Sequence, residues 1–416
     1  MRWFTRFAVA LCLLFVPAAQ AAPAQRTPVT ILISIDGFRP DYLDRGVTPV
    51  LSKLATTGIR AVMHPSFPSK TYPNHWTLVT GLTPDHHGIV ANRMEDMANP
   101  KNIFTMSTDD PAWWNGRATP IWVDAEQAGI RTATMFWPGA NVAFGGTKDK
   151  DWPYEVHGGT RPSDFWHYYG DIPPEQRVRG IIDWLRRPLA TRPKLITLYF
   201  QSVDDAGHQY GPDDARTTAA VAAVDKVIGM LVAQLRALGQ PANLVVVADH
   251  GMAATSSERT IGMDTIVPKE LVHYVETGPY AALWALPGKE AEVEKALLAP
   301  HDHLQCWRKG EMPARFGYGT NPRIPPYFCL ADVGWLTAET APKKPETGGN
   351  HGWDQMAPEM AALFVASGPT FIGGKRLPDI SNVDVEPLLR DLIGLPAEPG
   401  LDGSDNPFKG VLKRAR

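Results

Sequence analysis

Short apolar runs recur along the chain, and most of them end at a polar residue or a turn. The clearest covers residues 29–35, where a β-branched stretch follows Pro28 and ends in Asp36-Gly37. Continuous apolar runs of this length are typical of strands buried on both faces of a parallel sheet. Four more have the same character, at residues 132–137, 195–200, 244–248 and 361–366. The pattern therefore predicts at least five core strands.

Helical periodicity separates these runs. The clearest helix is predicted to begin near Asp214 and to stop at Gly239 and Pro241. Its apolar positions fall three or four residues apart, at Val221, Val224, Ile228, Leu231, Leu235 and Leu238. Such spacing places all six on one helix face. Strands that alternate with amphipathic helices predict a layered α/β fold.

Residues 270–345 show a different sequence pattern. Prolines are scattered through them, the apolar runs are short, and the sheet pattern resumes only after His351. We therefore predict a single catalytic domain over residues 22–416, with a small inserted cap at about 270–345.

The first 21 residues have the form of an export signal. Arg2 and Arg6 precede a short apolar stretch at residues 7–16, and Ala19-Gln20-Ala21 is a small-residue cleavage site. The stretch is too short to span a bilayer, and no second apolar segment of about 20 residues stands out. We therefore expect an exported, periplasmic chain with a cleaved signal peptide and no membrane anchor.

Composition and cysteine usage narrow the picture. The 416 residues are 44% hydrophobic and 20% charged with a net charge of −3, which indicates a folded globular protein and no nucleic-acid polymer as partner. Cys12 would leave with the signal, so Cys306 and Cys329 remain. An even pair in an oxidising compartment suggests a disulfide, although two unrelated buried thiols are the alternative.

Metal-binding residue types stand beside the apolar runs. They are Asp36, Asp204, His208, Asp249, His250 and His351. In open α/β sheets, ligands bind at the carboxyl ends of the strands, where several of these residues are expected. Carboxylate oxygen and imidazole nitrogen suit Zn²⁺ and related borderline ions. Six ligands exceed the needs of one catalytic zinc and are about right for two ions that act on a phosphoryl group, so we predict two metal ions that share one site.

A nucleophile is expected in the hydroxyl-rich loop at residues 66–75, which leads into a predicted helix from Pro73. Thr71 is the best placed, and Ser69 and Ser66 are the alternatives. The field of a helix N-terminus favours an anion, and a metal ion would lower the pKa of a hydroxyl there. Without the ligand set, Thr71 would be read as a helix cap.

Six segments together resemble the nucleotide pyrophosphatase/phosphodiesterase family of the alkaline phosphatase superfamily, over about residues 28–400. They are Ile35-Asp36-Gly37-Phe38-Arg39, Lys70-Thr71-Tyr72-Pro73-Asn74-His75, residues 81–92 from Gly81-Leu82-Thr83-Pro84 to Ala91-Asn92, residues 204–212, Ala248-Asp249-His250-Gly251-Met252, and His351-Gly352. The resemblance implies an alkaline-phosphatase-like α/β/α fold with a mostly parallel central sheet.

The resemblance also implies roles for individual residues. One zinc would be held by Asp36, Thr71, Asp249 and His250, and the other by Asp204, His208 and His351. Thr71 would be the nucleophile, and Asn92 would contact a non-bridging phosphate oxygen. Tyr72 and Tyr168 match the positions that grip a nucleotide base, with Tyr169 as an alternative to Tyr168. Asp205 could in principle replace Asp204, but the four-residue step to His208 favours Asp204.

The activity implied is hydrolysis of nucleotide diesters and pyrophosphates to nucleoside monophosphates through a phospho-threonine. A sulfatase would need a different motif around Thr71, and a phosphomonoesterase would need an arginine at the phosphate, for which Arg39 and Arg93 cannot be placed from sequence. A diesterase for glycerophospho-headgroups or phosphonates stays open as the alternative. A binding protein with a retired site fits poorly with an intact ligand set and threonine.

Overall fold

The structure is a computed structural model that describes residues 26–116, 118–152, 154–344 and 346–413. The predicted signal peptide at residues 1–21 and Cys12 lie outside the described residues. The strands are β1 (Val29–Ile35), β2 (Ile59–His64), β3 (Met94–Asp96), β4 (Asn99–Phe104), β5 (Thr132–Met135), β6 (Thr147–Lys148), β7 (Val156–His157), β8 (Asp164–Phe165), β9 (Leu195–Phe200), β10 (Ala242–Val247), β11 (Ala253–Ser256), β12 (Thr260–Gly262), β13 (Val272–Glu276), β14 (Tyr280–Ala285), β15 (Leu304–Arg308), β16 (Tyr327–Ala331), β17 (Leu336–Ala338), β18 (Thr347–Asn350), β19 (Ala362–Ser367), β20 (Lys375–Arg376) and β21 (Ile380–Ser381).

The α-helices are α1 (Pro49–Thr57), α2 (Thr71–Thr80), α3 (Pro84–His87), α4 (Pro111–Trp114), α5 (Ile121–Gln127), α6 (Pro174–Arg186), α7 (Ser202–Tyr210), α8 (Ala215–Ala237), α9 (Glu290–Leu297) and α10 (Val385–Ile393). Short 3₁₀ helices lie at Pro40–Arg45, Leu189–Thr191, Ser257–Arg259, Met263–Thr265, Lys269–Leu271, Ala314–Phe316, Pro358–Met360, Asn382–Asp384 and Asn406–Phe408.

A nine-stranded sheet forms the centre of the fold. Its strand order is β20-β2-β19-β10-β1-β9-β5-β8, with β21 also paired to β2. All neighbours in it run parallel except β19, which is antiparallel to both β10 and β2. The predicted layered α/β fold with a mostly parallel sheet is therefore confirmed. The reversal of β19 was not predicted, because an apolar run carries no information about strand direction.

The predicted strands correspond to β1, β5, β9, β10 and β19. The bounds of β1 and β9 match the prediction, while the other three differ by one or more residues at their ends. Strand β2 was missed. Its buried residues alternate with half-buried ones, and it carries Arg60 and His64, so it lacks the continuous apolar pattern of the central strands.

Helices flank the sheet in two groups. Helices α1, α6 and α7 contact α8, whereas α2, α5 and α10 contact one another. The predicted stripe on α8 is buried from Val221 to Leu235, and Leu238 is the half-buried C-cap. The buried carboxylate of Asp225, also on α8, accepts the backbone N–H groups of Val50 and Leu51, which ties the start of α1 to this helix.

One described helix, α8, is long and apolar enough to cross a membrane when judged by length and composition alone. The expectation that no further apolar segment of this length exists was therefore wrong. The alanines between the larger apolar residues raise its mean hydropathy without widening the stripe that was recognised in the sequence.

The predicted cap region contains a four-stranded antiparallel sheet in the order β13-β14-β16-β15. Both of its faces are buried. Along β14, Tyr280 and Ala282 join the main core, while Ala281 and Leu283 join a second apolar cluster with Val293 and Leu297 of α9. This period of two is what a sheet sandwiched between a core and a helix requires. The domain bounds themselves stay a prediction.

Cys306 and Cys329 form a disulfide with an S–S distance of 2.03 Å. They lie directly opposite each other on β15 and β16. The pairing suggested by the cysteine count is therefore present, and the alternative of two unrelated thiols was wrong.

Candidate metal and nucleophile site

The candidate ligands converge at the carboxyl ends of three neighbouring strands. Asp36 follows β1, Asp249 follows β10, and Asp204 lies in the first turn of α7 just after β9. The tight turn after β1 needs Gly37, whose φ is +68° and whose hypothetical Cβ would lie 3.1 Å from the Asp204 Oδ1. A residue with a side chain there would displace Asp204.

The first group of ligands surrounds His250. Its Nε2 lies 2.9 Å from the Asp249 Oδ2 and 3.3 Å from the Asp36 Oδ1. Tyr199 donates a hydrogen bond of 2.7 Å to the other Asp36 oxygen, and the Gly37 N–H donates to Asp249. Both carboxylates are therefore oriented by the surrounding protein and leave one oxygen each for the centre of the site.

The second group is built on Asp204. Its carboxylate lies 3.4 Å from the His208 Nε2, one helical turn along α7, and 3.8 Å from the His351 Nε2. Asp205 is exposed, whereas Asp204 is half-buried and faces both imidazoles. The geometry thus favours Asp204 over Asp205, as the four-residue spacing predicted.

The two groups are contiguous. His250 and His351 stack with ring centroids 3.4 Å apart, and ligand atoms of Asp204, His250 and His351 all lie within 4.8 Å of one another. His250 is therefore within reach of both groups, although its shortest contacts are to Asp36 and Asp249.

All three imidazoles are held in the same tautomer. The Nδ1 of His250 donates to the Gly251 carbonyl, that of His208 to Gly349, and that of His351 to Ser69, at 2.9, 2.9 and 2.7 Å. A carbonyl oxygen can only accept, so each neutral ring carries its lone pair on Nε2. This arrangement orients imidazoles as metal ligands in many metalloproteins.

Buried oxygens without partners mark the centre of the site. Among the described residues, the Asp36 Oδ1, Asp204 Oδ1 and Asp249 Oδ2 have no hydrogen-bond donor. An uncompensated buried carboxylate is costly. Since these oxygens face the lone pairs of the imidazoles, a cation among them would satisfy both, and the residues present therefore fit a metal centre.

Burial and neighbouring charges shift the pKa values of the three carboxyl groups. Burial, followed by the charges of Asp249 and Asp204, raises the pKa of Asp36 well above its ordinary value. Burial also raises the pKa of Asp204. Burial alone would raise the pKa of Asp249 too, but the imidazoles of His250 and His75 outweigh it and hold that pKa well below its ordinary value.

The pKa values of the His351 and His250 imidazoles shift in opposite directions. Burial, followed by the neighbouring His250 and His208, lowers the pKa of His351 well below its ordinary value, so this ring is neutral and ready to bind a metal. Burial alone would lower the pKa of His250, but the Asp249 carboxylate outweighs it and the net shift is upward.

Thr71 is the first residue of α2, and its Oγ1 lies 3.2 Å from the His250 Nε2. The N-cap is Lys70, so the helix-cap reading of Thr71 was wrong. The two alternative hydroxyls are buried and used elsewhere, since Ser69 donates to the Trp353 carbonyl and Ser66 to Asn382. Thr71 is thus the one hydroxyl of the three that adjoins the ligands.

Asn92 adjoins Thr71 through the backbone. Its side-chain oxygen accepts the Tyr72 N–H at 2.9 Å, which assigns the amide orientation and leaves the NH₂ group as a donor in the pocket that Asn92 lines. An NH₂ donor beside a hydroxyl is suited to an anionic oxygen.

His75 is a residue of the site that sequence reasoning missed. It is fully buried on α2, its Nδ1 lies 2.9 Å from the Thr71 carbonyl and 3.3 Å from the Asp249 Oδ2, and its Nε2 accepts from Ser34 at 2.8 Å. Because Nδ1 donates to a carbonyl, His75 orients Asp249 and does not offer it a lone pair. Its four-residue step from Thr71 was the signal available in the sequence.

A pocket of about 850 Å³ opens beside Thr71. Its lining includes Asn92 together with the aromatic residues Tyr72, Trp114, Phe136, Trp137, Trp166, Tyr168 and Tyr199. Tyr168 is thus placed at the pocket, and Tyr169 is not among the lining residues. Arg39 and Arg93 are also absent from the described lining and pair with Asp41 and Glu95.

Comparison with known proteins adds independent information. Residues 30–354 match the family model described as type I phosphodiesterase / nucleotide pyrophosphatase. The chain is 35% identical over 378 residues to a bis(5'-adenosyl)-triphosphatase from Xenopus laevis, covering 90% of this chain and 79% of that protein. It is 34% identical over 410 residues to ectonucleotide pyrophosphatase/phosphodiesterase family member 3 from Mus musculus. That match covers 95% of this chain but 45% of the longer mouse protein.

The similarity extends to solved structures. The chain resembles murine ectonucleotide pyrophosphatase/phosphodiesterase 5, solved as an inactive threonine-to-alanine variant in complex with AMP, at 33% identity and a TM-score of 0.85. The match covers 93% of this chain and 100% of that one.

Proposed function

The chain belongs to the type I phosphodiesterase / nucleotide pyrophosphatase family, a family of hydrolases, and we propose from this premise that it hydrolyses nucleotide diesters and pyrophosphates to nucleoside monophosphates. One observation carries the proposal: the Thr71 hydroxyl lies 3.2 Å from the His250 Nε2, in a cluster with three carboxylates that each have one buried oxygen without a donor. A panel of ATP, a dinucleotide, a glycerophosphodiester and a phosphate monoester, assayed with and without chelator, tests it.

Two Zn²⁺ ions are the cofactors that we propose. Asp36, Thr71, Asp249 and His250 would hold one, and Asp204, His208 and His351 the other. Bound there, the ions would lower the pKa of the attacking hydroxyl or water and stabilise charge on the phosphoryl oxygens. The contacts between imidazoles and carboxylates support this division. The His250 Nε2 lies nearest the carboxylates of Asp249 and Asp36. The Nε2 atoms of His208 and His351 lie nearest that of Asp204.

The chain's own residues account for the steps. Thr71 Oγ1 attacks the phosphorus and forms an O–P bond as the bond to the leaving group breaks, and the hydroxyl proton is transferred to the leaving group. The product of this step is a phospho-threonine that still carries the nucleoside. Water then cleaves that O–P bond, regenerating the Thr71 hydroxyl and releasing the nucleoside monophosphate. The Asn92 NH₂ group donates to a non-bridging phosphate oxygen in both steps, a fixed electrostatic contribution.

The nucleotide base would lie between aromatic rings. Tyr72 packs near Phe104 and Trp114, while Tyr168 packs against Phe136 and Tyr199, so both rings are supported from the protein side. Tyr168 remains 56% exposed, which leaves ring area for a ligand to cover. The AMP complex of the mouse relative supports a nucleotide as the occupant.

Replacing Tyr168 or Tyr72 with alanine tests this role of the pocket. Loss of one stacking surface is expected to raise the KM for a nucleotide diester by about tenfold and to change the KM for a small aryl phosphodiester far less, since base–aromatic stacking contributes about 1–3 kcal/mol. Tyr169→Ala is the matched control at a neighbouring exposed tyrosine. Equal changes for both substrates would contradict stacking.

Zinc should also stabilise the fold, and more so at high pH. Because their pKa values are raised, Asp36 and Asp204 bind protons more readily in the folded, metal-free protein than in the unfolded chain, so their own contribution to its stability is lost as pH rises through those values. Protons also compete with the metal. We expect zinc to raise the Tm by about 3 °C or more at pH 8, and by less at pH 5.5. Calorimetry at both pH values would contradict this if the shifts were equal.

A diesterase for glycerophospho-headgroups is the second candidate. The combination of aromatic rings with the carboxylates of Asp109 and Asp205 in the pocket is compatible with a quaternary ammonium group. The substrate panel separates the two, because a headgroup enzyme would cleave the glycerophosphodiester far faster than the dinucleotide.

We further propose that the chain is exported to the periplasm. The predicted signal peptide, the disulfide between Cys306 and Cys329 and the ectonucleotide names of relatives support this location. Cell fractionation tests it, together with N-terminal sequencing of the mature protein.

A further inference from the structure

The pocket beside Thr71 carries negative charge beyond the proposed metal ligands. Asp109 and Asp205 line it, and no lysine or arginine is present among its described lining residues. Lys70, next to the nucleophile in sequence, is buried and lies 3.8 Å from Glu276. Polyphosphates are usually held by lysine and arginine side chains, so, apart from the proposed metal ions, the described lining lacks cationic groups that would compensate the additional charge of a polyphosphate.

The second cationic side chain near the pocket, Arg177, is also used in hydrogen bonds within the protein. Arg177 is buried, and its guanidinium donates to the backbone carbonyls of Gly170, Ile172 and Tyr199 and to the side chain of Gln201. These hydrogen bonds hold the segment around Gly170 and Ile172, which follows Tyr168 in the chain. Four of its five N–H donors are used within the protein, and Arg177 is not among the described lining residues of the pocket.

Under the proposed two-ion arrangement, Asp205 would lie on the side from which the leaving group departs. Thr71 contacts His250, whose shortest contacts are to Asp36 and Asp249. Asp204 and His208 form the other ligand group on α7, and Asp205 follows Asp204 in that helix. In a two-ion displacement one group of ligands serves the attacking oxygen and the other the leaving oxygen. The leaving group is then closest to α7.

Resting on the proposed function, we propose that this pocket selects substrates by the charge of the leaving group, with Asp205 as a specificity-determining residue. It favours nucleotide pyrophosphates whose leaving group ends in a neutral or cationic moiety, and it disfavours polyphosphate leaving groups. Coulombic repulsion from Asp205 raises the barrier for additional negative charge, and the aromatic walls accept a cation.

Three cytidine nucleotides separate this effect from base and sugar recognition. CDP-choline, CDP-glycerol and CTP share the same attacked phosphate and differ in the charge of what leaves. Each hydrolysis consumes one water, breaks the bond between the α-phosphorus and the bridging oxygen, and yields CMP together with phosphocholine, glycerol phosphate or pyrophosphate. Without added magnesium, kcat/KM is expected to fall in that order, by about fivefold at each step.

Variants at one position test the assignment. Asp205→Asn keeps the side-chain size and removes the charge, and it is expected to reduce the ratio of kcat/KM for CDP-choline to that for CTP by about fivefold. Asp205→Lys should reduce the ratio further, mainly through a lower KM for CTP. Asp183→Asn, an exposed acid on α6 that does not line the pocket, is the matched control and should leave the ratio unchanged.

The outcomes separate the two proposals. If none of the three substrates yields CMP with the zinc-loaded protein, the proposed function is wrong. If all three are cleaved with similar kcat/KM, or if Asp205→Asn shifts the ratio no more than Asp183→Asn does, the charge selection is wrong while the proposed function stands. The expected order together with a ratio that depends on Asp205 supports both.

Discussion

Thr71→Ala is expected to lower the rate of nucleotide diester hydrolysis by at least about a thousandfold, because the variant has no oxygen to form the bond to phosphorus. Metal content should change little, since Asp36, Asp249 and His250 still surround that position. The measurement is single-turnover hydrolysis of a nucleotide aryl ester, with elemental analysis of the same sample.

Ser69→Ala is the matched control for this prediction. Ser69 is a second hydroxyl in the same loop, but it is buried and donates to the Trp353 carbonyl. Its loss should lower stability by about 1 kcal/mol and leave turnover within about tenfold of the native protein. Retained turnover in Thr71→Ala, or an equal loss in both variants, would make the nucleophile assignment wrong. Trapping of phosphate on the native chain at Thr71, detected by peptide mass, would support it directly.

Removing a ligand from one group should remove one metal ion and nearly all activity. The native protein is expected to contain close to two zinc ions per chain, and Asp36→Asn and Asp204→Asn close to one each, because these carboxylates belong to different groups. Loss of either ion should lower diester hydrolysis by at least about a hundredfold.

Asp205→Asn provides the internal control for metal content. Asp205 neighbours Asp204 but is exposed, so its variant should still contain two zinc ions. Chelation should abolish activity in the native protein, and added zinc should restore it. A single ion per active native chain would contradict the two-ion proposal, as would full metal content in both ligand variants. These results concern metal content directly and do not depend on which phosphodiester is the substrate.

Much of the fold was predictable because its signals are local. The apolar runs of β1 and β9 and the stripe on α8 depend only on residues a few positions apart, and all three were recognised. Helix α8 also shows the limit of such signals, because its length and composition equally satisfy the test for a membrane span. The reversal of β19 and the existence of β2 depend on pairing with distant segments, which local patterns do not report.

The candidate site also has features that the sequence reports and features that depend on distant contacts. Its residue types were readable as Asp, His and Thr beside strand ends, because metal and phosphoryl chemistry demands those groups and the ends of parallel strands meet at one edge. Which of them are neighbours was implied only by the family resemblance, because local patterns do not report contacts between residues far apart in sequence, such as His250 with Asp36 and His351 with Asp204.

By itself, the sequence determined the layered α/β class and the chemical inventory of the site. Tertiary structure alone decided the imidazole tautomers, the role of His75 beside Asp249, and a pocket whose described lining contains carboxylates but no lysine or arginine. The physical reason is that burial and orientation arise from the folded surroundings. A carboxylate or an imidazole acquires its charge state and its function only from the groups packed around it.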